Sequence, residues 1–418
     1  MLLGLTSLFT DISSEMVTAV LPLFLVLQMG LAPSQFGLVD GLYRGVSSLS
    51  GLASGLLADW LGRPKLVATL GYGLSAATRP LLLVASSVTT VAGLISLDRV
   101  GKGIRTAPRD ALIAHASPAE DLGRSFGVHR AMDTVGAMLG PLVAFGILLL
   151  LPGRFDAVFV VSAGFALLGL AVVALLVPER RARARGRVTE IVHSPEGISP
   201  EGISNEPDSP VEPEPASRRL TGADVVGLLR SRPVLRRVGV AGLLTLFTVS
   251  DAFVFLALLD READLAKAFP LFAVGVALVY SVLSVPFGRL ADRFGRMATY
   301  LVGHVALLAV YATVGAPTGA LAATVTALLL LGAFYAATDG VLAAAVSAAL
   351  PEVSRASGIA LAQTAVGVAG FASSVGFGLL LGSLGSGSAY LVMAIGLACA
   401  LPVAAVVLRP DLDPVGAP

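Results

Sequence analysis

The sequence predicts an all-α membrane protein whose twelve transmembrane helices form two pseudo-symmetric six-helix bundles. Three observations carry that expectation. Residues are 55% hydrophobic and only 14% charged, where a soluble domain carries about 25% charged residues, so the chain belongs in a bilayer. Apolar runs follow one another along the chain, each near the ~20 residues that a span requires. A short charged motif also closes an apolar run twice, as G-L-L-A-D-W-L-G-R-P-K at Gly55 to Lys65 and as G-R-L-A-D-R-F-G-R at Gly288 to Arg296, which points to a duplicated unit.

The first run extends from about Leu3 to Gln28, and the next begin near Gln35, Leu66, Val88, Ser125 and Ala157. They make an N-terminal bundle over residues 1–178. From 179 to 232 the composition shifts to Arg180, Arg181, Arg183, Arg185 and Arg187, then to a Pro- and Glu-rich tract with S-P-E-G-I-S-P-E-G-I at Ser194 to Ile203. Such a segment buries too little apolar surface to fold, so a disordered cytoplasmic linker is expected, with a regulatory tail as the alternative. Runs starting near Pro233, Lys267, Met297, Thr318, Ser357 and Ala389 form a C-terminal bundle over 233–409, followed by a tail at 410–418. Met1 leads straight into the first run with no basic stretch before it, so no cleavable signal is expected. On this reading most of the 29 basic residues fall on one side, and only Arg154, Arg261 and Lys267 fall on the other. The positive-inside rule then places both termini, the linker and both charged hairpins in the cytoplasm.

Charges at membrane depth are costly and mark function. The basic ones are Arg44, Arg79, Arg99, Lys102 and Arg130; the acids are Asp11, Glu15, Asp40, Asp98, Asp133, Asp251 and Asp339. Spacing puts Asp40 with Arg44, Asp98 with Lys102 and Arg130 with Asp133 on shared helix faces, where the plain reading is neutralised packing, held level with function for Asp40 and Arg44. Asp11 and Glu15 also share a face but repel. All the cations lie in the N-terminal half, so Asp251 and Asp339 have none beside them in their own half. Acids outnumber bases, and an apolar site resists that excess by keeping some carboxylates protonated, which is the chemistry of proton coupling. Glu15, nearer mid-membrane than Asp11, is the expected proton carrier, with Arg99 and Arg130 as the cations that would trigger release.

In each charged hairpin a glycine allows close packing, an aspartate follows, and a second glycine ends the helix before arginine: Gly55, Asp59, Gly62 and Arg63, then Gly288, Asp292, Gly295 and Arg296. Such a hairpin can hold a neighbouring helix end in one conformation and release it in another. The pair of hairpins resembles the signature loop of the major facilitator superfamily of transporters, one per six-helix half, and the resemblance covers nearly the whole chain. It implies that the first, fourth, seventh and tenth helices line a central cavity. It also implies that Arg99, in L-D-R-V-G-K-G-I-R, sits where the superfamily's proton antiporters place a buried arginine, although Lys102 replaces the usual glutamine. G-A-M-L-G-P at Gly136 to Pro141 resembles the fifth-helix signature of drug and proton antiporters, with Ala144 where glycine is usual. Physically, Gly136 and Gly140 permit close helix approach and Pro141 frees a carbonyl, giving a bendable seam that could seal the cavity's cytoplasmic side. Gly41 with Gly45, and Gly378 with Gly382, are read as helix packing alone. L-F-T-D-I-S-S-E-M and G-K-G-I-R-T-A-P-R-D-A-L-I resemble a group of bacterial facilitator proteins, which implies a bacterial inner membrane.

The expected function is therefore alternating-access secondary transport, namely proton-coupled efflux of an organic, cationic small molecule. Its alternative is import of an organic anion gripped by Arg44, Arg79, Arg99 and Arg130; an alternative of another class is a non-transporting sensor, against which stands the lack of a folded extramembrane domain. No hydrolase, zinc-protease, phosphate-loop or dinucleotide motif occurs, so no enzyme activity is expected. Cys399 is the single cysteine and four histidines are scattered, which excludes an internal disulfide and any zinc spacing. No cofactor is expected; the expected partners are substrate, protons and lipid, with no nucleic acid, and the protein is expected to be a monomer.

Overall fold

The structure, a computed structural model, describes residues 1–61, 63–118, 121–178, 231–317, 319–351 and 354–409, without the side chains of 51–61, 115, 263–264 and 356. The expected linker and C-terminal tail lie almost wholly outside the described residues. Helices account for all regular structure among those described: α1 Leu2–Leu23, α2 Pro33–Leu61, α3 Pro64–Leu81, α4 Val88–Ala116, α5 Leu122–Leu150 and α6 Phe155–Ala171. After 230 come α7 Arg232–Leu246, α8 Asp251–Leu259, α9 Phe269–Phe294, α10 Arg296–Gly315, α11 Ala320–Thr338, α12 Val341–Ala348, α13 Arg355–Leu384 and α14 Ser386–Val407. All but α8 and α12 begin within a few residues of an expected run.

Among the described residues ten stretches are long and apolar enough to cross a membrane, with α7–α8 and α11–α12 each counting as one. The 29-residue α2 and α4 are long enough but not apolar enough. In α4 the cause is Asp98, Arg99, Lys102, Arg105, Arg109 and Asp110; in α2 it is Asp40, Arg44, Asp59 and a run of serines and glycines. Large apolar side chains stand exposed on the outer helices, among them Val282 and Leu321 at 72% and Leu175 at 80%. Lipid takes the place of a core around them.

Within the first half α1 packs on α5 and α6, α2 on α4, and α3 on α4 and α6. Within the second, α9 packs on α11, α10 on α11 and α14, and α7 on α13 and α14. The halves meet where α2 lies against α13, where α5 lies against α9, and where α1 touches α8 and α9. The α2–α13 seam is set by glycine. A Cβ on Gly37 would come within 2.5 Å of the Ser374 carbonyl, and one on Gly378 within 2.6 Å of the Pro33 carbonyl. Gly41 and Gly45 face Phe371. Gly41, Gly45 and Gly378, read from sequence as packing alone, thus form the joint between the halves together with Gly37, whereas Gly382 has no atom within 4 Å of its Cβ position. Beside it Phe36, Phe253, Phe377 and Tyr390 stack edge to face, with centroids 4.8 to 4.9 Å apart. They close that end of the molecule with apolar bulk.

The two runs expected as continuous spans at Pro233 and Thr318 are in fact broken, at Phe247 to Ser250 and at Asp339 to Gly340. A break in lipid is tolerated only where the freed backbone groups find partners. Here the Tyr311 hydroxyl donates to the Phe247 carbonyl at 2.8 Å and accepts from the Val249 N–H at 2.8 Å, while Ser373 Oγ donates to the Thr248 carbonyl at 2.8 Å. The second break rests on Gly340, whose φ of +75° is a conformation glycine adopts freely.

Candidate functional site

Between the halves lies a cavity of about 470 Å³ whose lining includes Glu15, Asp40, Tyr43 and Arg44 from the first half and Asp251, Tyr280, Tyr335 and Asp339 from the second. Thr18, Pro141, Phe255 and Phe269 complete much of its apolar wall. The helix breaks position two of its carboxylates. Asp251 is the first residue of α8, and Asp339 is the residue that ends α11. Each meets a tyrosine. The Tyr335 hydroxyl lies 2.9 and 2.8 Å from the two Asp251 oxygens, and the Tyr280 hydroxyl donates to Asp339 Oδ2 at 3.3 Å.

Asp40 and Arg44 tie the halves together. Arg44 Nε lies 3.5 Å from Asp40 Oδ2, as their spacing predicts. Arg44 Nη2 donates to Ser250 Oγ at 2.9 Å, and Asp40 accepts from Ser250 Oγ at 2.9 Å and from Ser374 Oγ at 2.6 Å. A charged pair on α2 therefore bridges to the break before α8 and to α13.

Behind the first-half wall is a second charged layer. Buried Asp98 accepts from Arg79 Nη2 at 2.7 Å and from Arg99 Nε at 3.1 Å, and the Arg99 guanidinium lies 4.2 Å from the Tyr43 ring centroid. Arg79 also donates to Ser14 Oγ at 3.2 Å. Lys102 Nζ stands 3.9 Å from Glu15, and Arg105 Nη2 3.8 Å from Asp11, with the Arg105 guanidinium 4.4 Å from the Tyr72 centroid. Two one-turn expectations are thereby corrected. Asp98 pairs with Arg79 and Arg99 rather than Lys102, because the buried guanidiniums of α3 and α4 outcompete a neighbour along the helix. Asp133 has His129 beside it, at 3.5 Å, rather than Arg130, which is exposed. Asp11 and Glu15, expected to contend for one proton, each have a separate cation supplied by α4. Arg99, expected to serve Glu15, is committed to Asp98.

The fifth-helix glycines face α1. A Cβ on Gly136 would come within 2.7 Å of the Leu8 carbonyl, and one on Gly140 within 2.8 Å of the Ile12 carbonyl and of Glu15 Cβ. These glycines set α5 against α1 inside the first half, and only Pro141 reaches the cavity wall. Of the first charged hairpin, Gly62 lies outside the described residues, Gly55 and Asp59 fall within α2 where side chains are not described, and Arg63 is exposed. In the second, Gly295 ends α9 at a φ of +98°, Asp292 lies 3.9 Å from Arg296, and Arg296 Nη1 donates to the Ala344 carbonyl at 3.0 Å. Arg237 donates to the next carbonyl, that of Ala345. An arginine, not the aspartate, thus holds the helix end, as befits the carbonyl-rich C-terminus of α12. Tyr43, Tyr280, Tyr335, Ser250 and Ser374 were not singled out from sequence. The S-D pair at Ser250 is a helix-start signal and the D-G pair at Asp339 a turn signal, so both breaks could have been found.

Comparison with known proteins bears on this architecture as a whole. The sequence profile of the Major Facilitator Superfamily matches residues 3–277 and 263–418. An uncharacterized MFS-type transporter of Methanocaldococcus jannaschii is 29% identical over 304 residues, which cover 73% of this chain and 69% of that one. An uncharacterized protein of Mycobacterium bovis is 40% identical over 116 residues, 27% of this chain and 28% of its own. Among solved structures, the nucleoside transporter NupG aligns over 98% of both chains with a TM-score of 0.73 at 12% identity. A peptide transporter of the POT type bound to sulfate aligns over 98% of this chain and 94% of its own, with a TM-score of 0.73 at 14% identity. A bacterial homolog of the human lysosomal transporter Spinster, inward-facing and unoccupied, does so over 98% and 94% with a TM-score of 0.65 at 15% identity.

Proposed function

We propose, for a chain that belongs to the Major Facilitator Superfamily, proton-coupled efflux of an organic cation by alternating access. That the protein is a multi-pass membrane transporter of small molecules, and not an enzyme, follows from the family. The finer reading rests on one observation: four carboxylates, Glu15, Asp40, Asp251 and Asp339, line the cavity against a single lining cation, Arg44. Two of the four, Asp251 and Asp339, accept hydrogen bonds from tyrosines, and Arg44, which acts on Asp251, is shared with Asp40. An apolar cavity with surplus acid and aromatic faces suits a cation with an apolar body. Direction follows from energetics, since an inside-negative potential already draws a cation inward, and outward movement is what needs coupling.

The anion-import reading loses its grip. Of its four arginines, Arg79 and Arg99 are committed to Asp98, and Arg44 to Asp40 and Ser250. Counting α2 and α4 as spans gives twelve, with a bundle on each side of the linker and both termini cytoplasmic in a bacterial inner membrane. The closed Phe36, Phe253 and Phe377 end then faces outward, so this is the inward-facing state of a monomer. Glu15 is the proton carrier, because Lys102 on the neighbouring helix can favour its ionised form and release the proton when the cavity turns. The test is accumulation in proteoliposomes of cations chosen from a thermal-shift panel, with and without a pH gradient. Glu15→Gln should abolish gradient-driven accumulation and keep exchange. Stabilisation by organic anions and not by cations would overturn the substrate class.

A further inference from the structure

A second cavity, of about 660 Å³, lies at the end of the first half where α1 begins, and its lining includes His129, Asp121 and Arg124. His129 is 5% exposed, yet neither of its ring nitrogens has a hydrogen-bond partner among the described residues. Asp133 Oδ2 stands 3.5 Å from His129 Nε2, its Oδ1 is buried without a hydrogen-bond partner among the described residues, and Ser7 lies beside it on α1. Buried polar atoms left without protein partners are served by water. His129, Asp133 and Ser7 thus mark a polar strip along the α1–α5 seam that water can complete.

That strip has a direction. Contacts along the α1–α5 seam fix its register: Gly4 faces Met132, Gly136 faces Leu8 and Asp11, and Gly140 faces Ile12 and Glu15. The helices run parallel, so depth increases with number on both. Ser7, Asp11 and Glu15 recur every four residues on one face of α1, and His129 precedes Asp133 by one turn on α5. Successive polar groups therefore stand about one turn, 5.4 Å, apart along the axis, a gap that one water spans. The strip begins at His129 in the second cavity and ends at Glu15 in the substrate cavity.

We propose that His129, Asp133 with Ser7, and Asp11 form a proton route to Glu15 separate from the path of the substrate. A proton from the second cavity adds to one imidazole nitrogen while the other releases one through water to Asp133. From there it passes to Asp11 and then to Glu15, and the chain of waters turns back to reset; no covalent bond other than O–H and N–H changes. The groups facing His129 are Asp133 on its own helix, Arg109 and Asp110 on α4, and Asp11 on α1. Arg105 holds Asp11 from α4, so acids alternate with bases along the way and a proton finds acceptors without a trapped charge. The route matters because an occupant of the substrate cavity covers Glu15 from that side, and protons would otherwise have to wait for it to leave.

This inference rests on Glu15 as proton carrier, and the test separates the two. Proton uptake after a rapid drop in pH is followed with an indicator dye, on purified protein in weakly buffered detergent solution. Glu15→Gln identifies the component that belongs to Glu15. His129→Gln should leave the size of that component unchanged and slow it by about tenfold or more, and millimolar imidazole should restore much of the rate. Asp133→Asn should slow the same component without rescue by imidazole, and it serves if the histidine variant does not fold. No component lost in Glu15→Gln would refute the carrier and the route together. A component present in the wild type with its rate unchanged in both variants would refute the route alone.

Discussion

The two halves handle their membrane-depth carboxylates in opposite ways. In the first half Asp98 is held by Arg79 and Arg99, Glu15 faces Lys102 and Asp11 faces Arg105. In the second, Asp251 and Asp339 are met by the hydroxyls of Tyr335 and Tyr280. A base within ion-pair reach gives a carboxylate an internal counter-charge, whereas a phenol satisfies its hydrogen bonding and leaves the charge to be answered by something else. The first half therefore supplies its own counter-charges, also where a proton comes and goes, and the second presents its carboxylates to an occupant. Alternating access needs both kinds, because a site that only binds cannot report its state to the element that moves.

The most damaging way to break this contrast is Asp98→Asn. It would leave Arg79 and Arg99, each 3% exposed, facing one another in the bundle without their anion. Removing one member of a buried ion group costs about 3 to 5 kcal/mol, and thermal unfolding in detergent should show a loss of that order. Asp251→Asn should do the reverse. It removes no counter-charge from its own half, so the protein should keep its thermal stability, while affinity for an organic cation falls by about 10- to 100-fold, the worth of a charged hydrogen bond. Equal destabilisation by the two variants would remove the distinction between the halves.

The sequence shows the fold because spans are long, strongly apolar and punctuated by a copied motif; apart from α8 and α12, which follow the two breaks, each helix described starts within a few residues of an expected run. It shows which residues matter less well, because pairing was read along single helices. Asp98 meets Lys102 four residues on by spacing, but the partner that prevails, Arg79, comes from another helix. No periodicity reports which faces of α3 and α4 touch. The tyrosines were invisible for a related reason: in a membrane helix a tyrosine reads as one more aromatic until the acid beside it is known. His129 and Asp133, one turn apart, were legible as a pair, yet attention went to the stronger base Arg130. The joint between the halves was missed because small residues on one face of α2 look the same whether they meet a helix of their own bundle or the other.

That joint supplies the next test. Gly378 takes part only in the approach of α13 to α2, with the Pro33 carbonyl 2.6 Å from where its Cβ would sit. Gly378→Ala should force the halves apart there, costing the closed arrangement about 1 to 3 kcal/mol, as overpacking does. Each half would keep its own packing, so thermal unfolding should change less than conformation. Accessibility of a cysteine placed at Ser374, in a background lacking Cys399, should rise several-fold. Unchanged accessibility would show that the α2–α13 contact is not part of what opens.

The smallest effects should come from the tyrosines, and they should differ from each other. Tyr335 reaches both oxygens of Asp251 within 2.9 Å, whereas Tyr280, half-buried like Tyr335, reaches an exposed Asp339 at 3.3 Å. A neutral hydroxyl contributes about 1 kcal/mol to a buried carboxylate and less where water competes. Tyr335→Phe should therefore shift cation affinity by about fivefold, and its sign is informative. If the phenol shares the carboxylate with the bound cation, affinity falls, because Asp251 loses the group that fixes its orientation. If the phenol must be displaced for the cation to bind, affinity rises. Tyr280→Phe should move affinity by less than a factor of two in either case. Equilibrium binding of one cation to both variants settles the matter, and an effect of Tyr280→Phe as large as that of Tyr335→Phe would mean that Asp339 rather than Asp251 is the principal anchor.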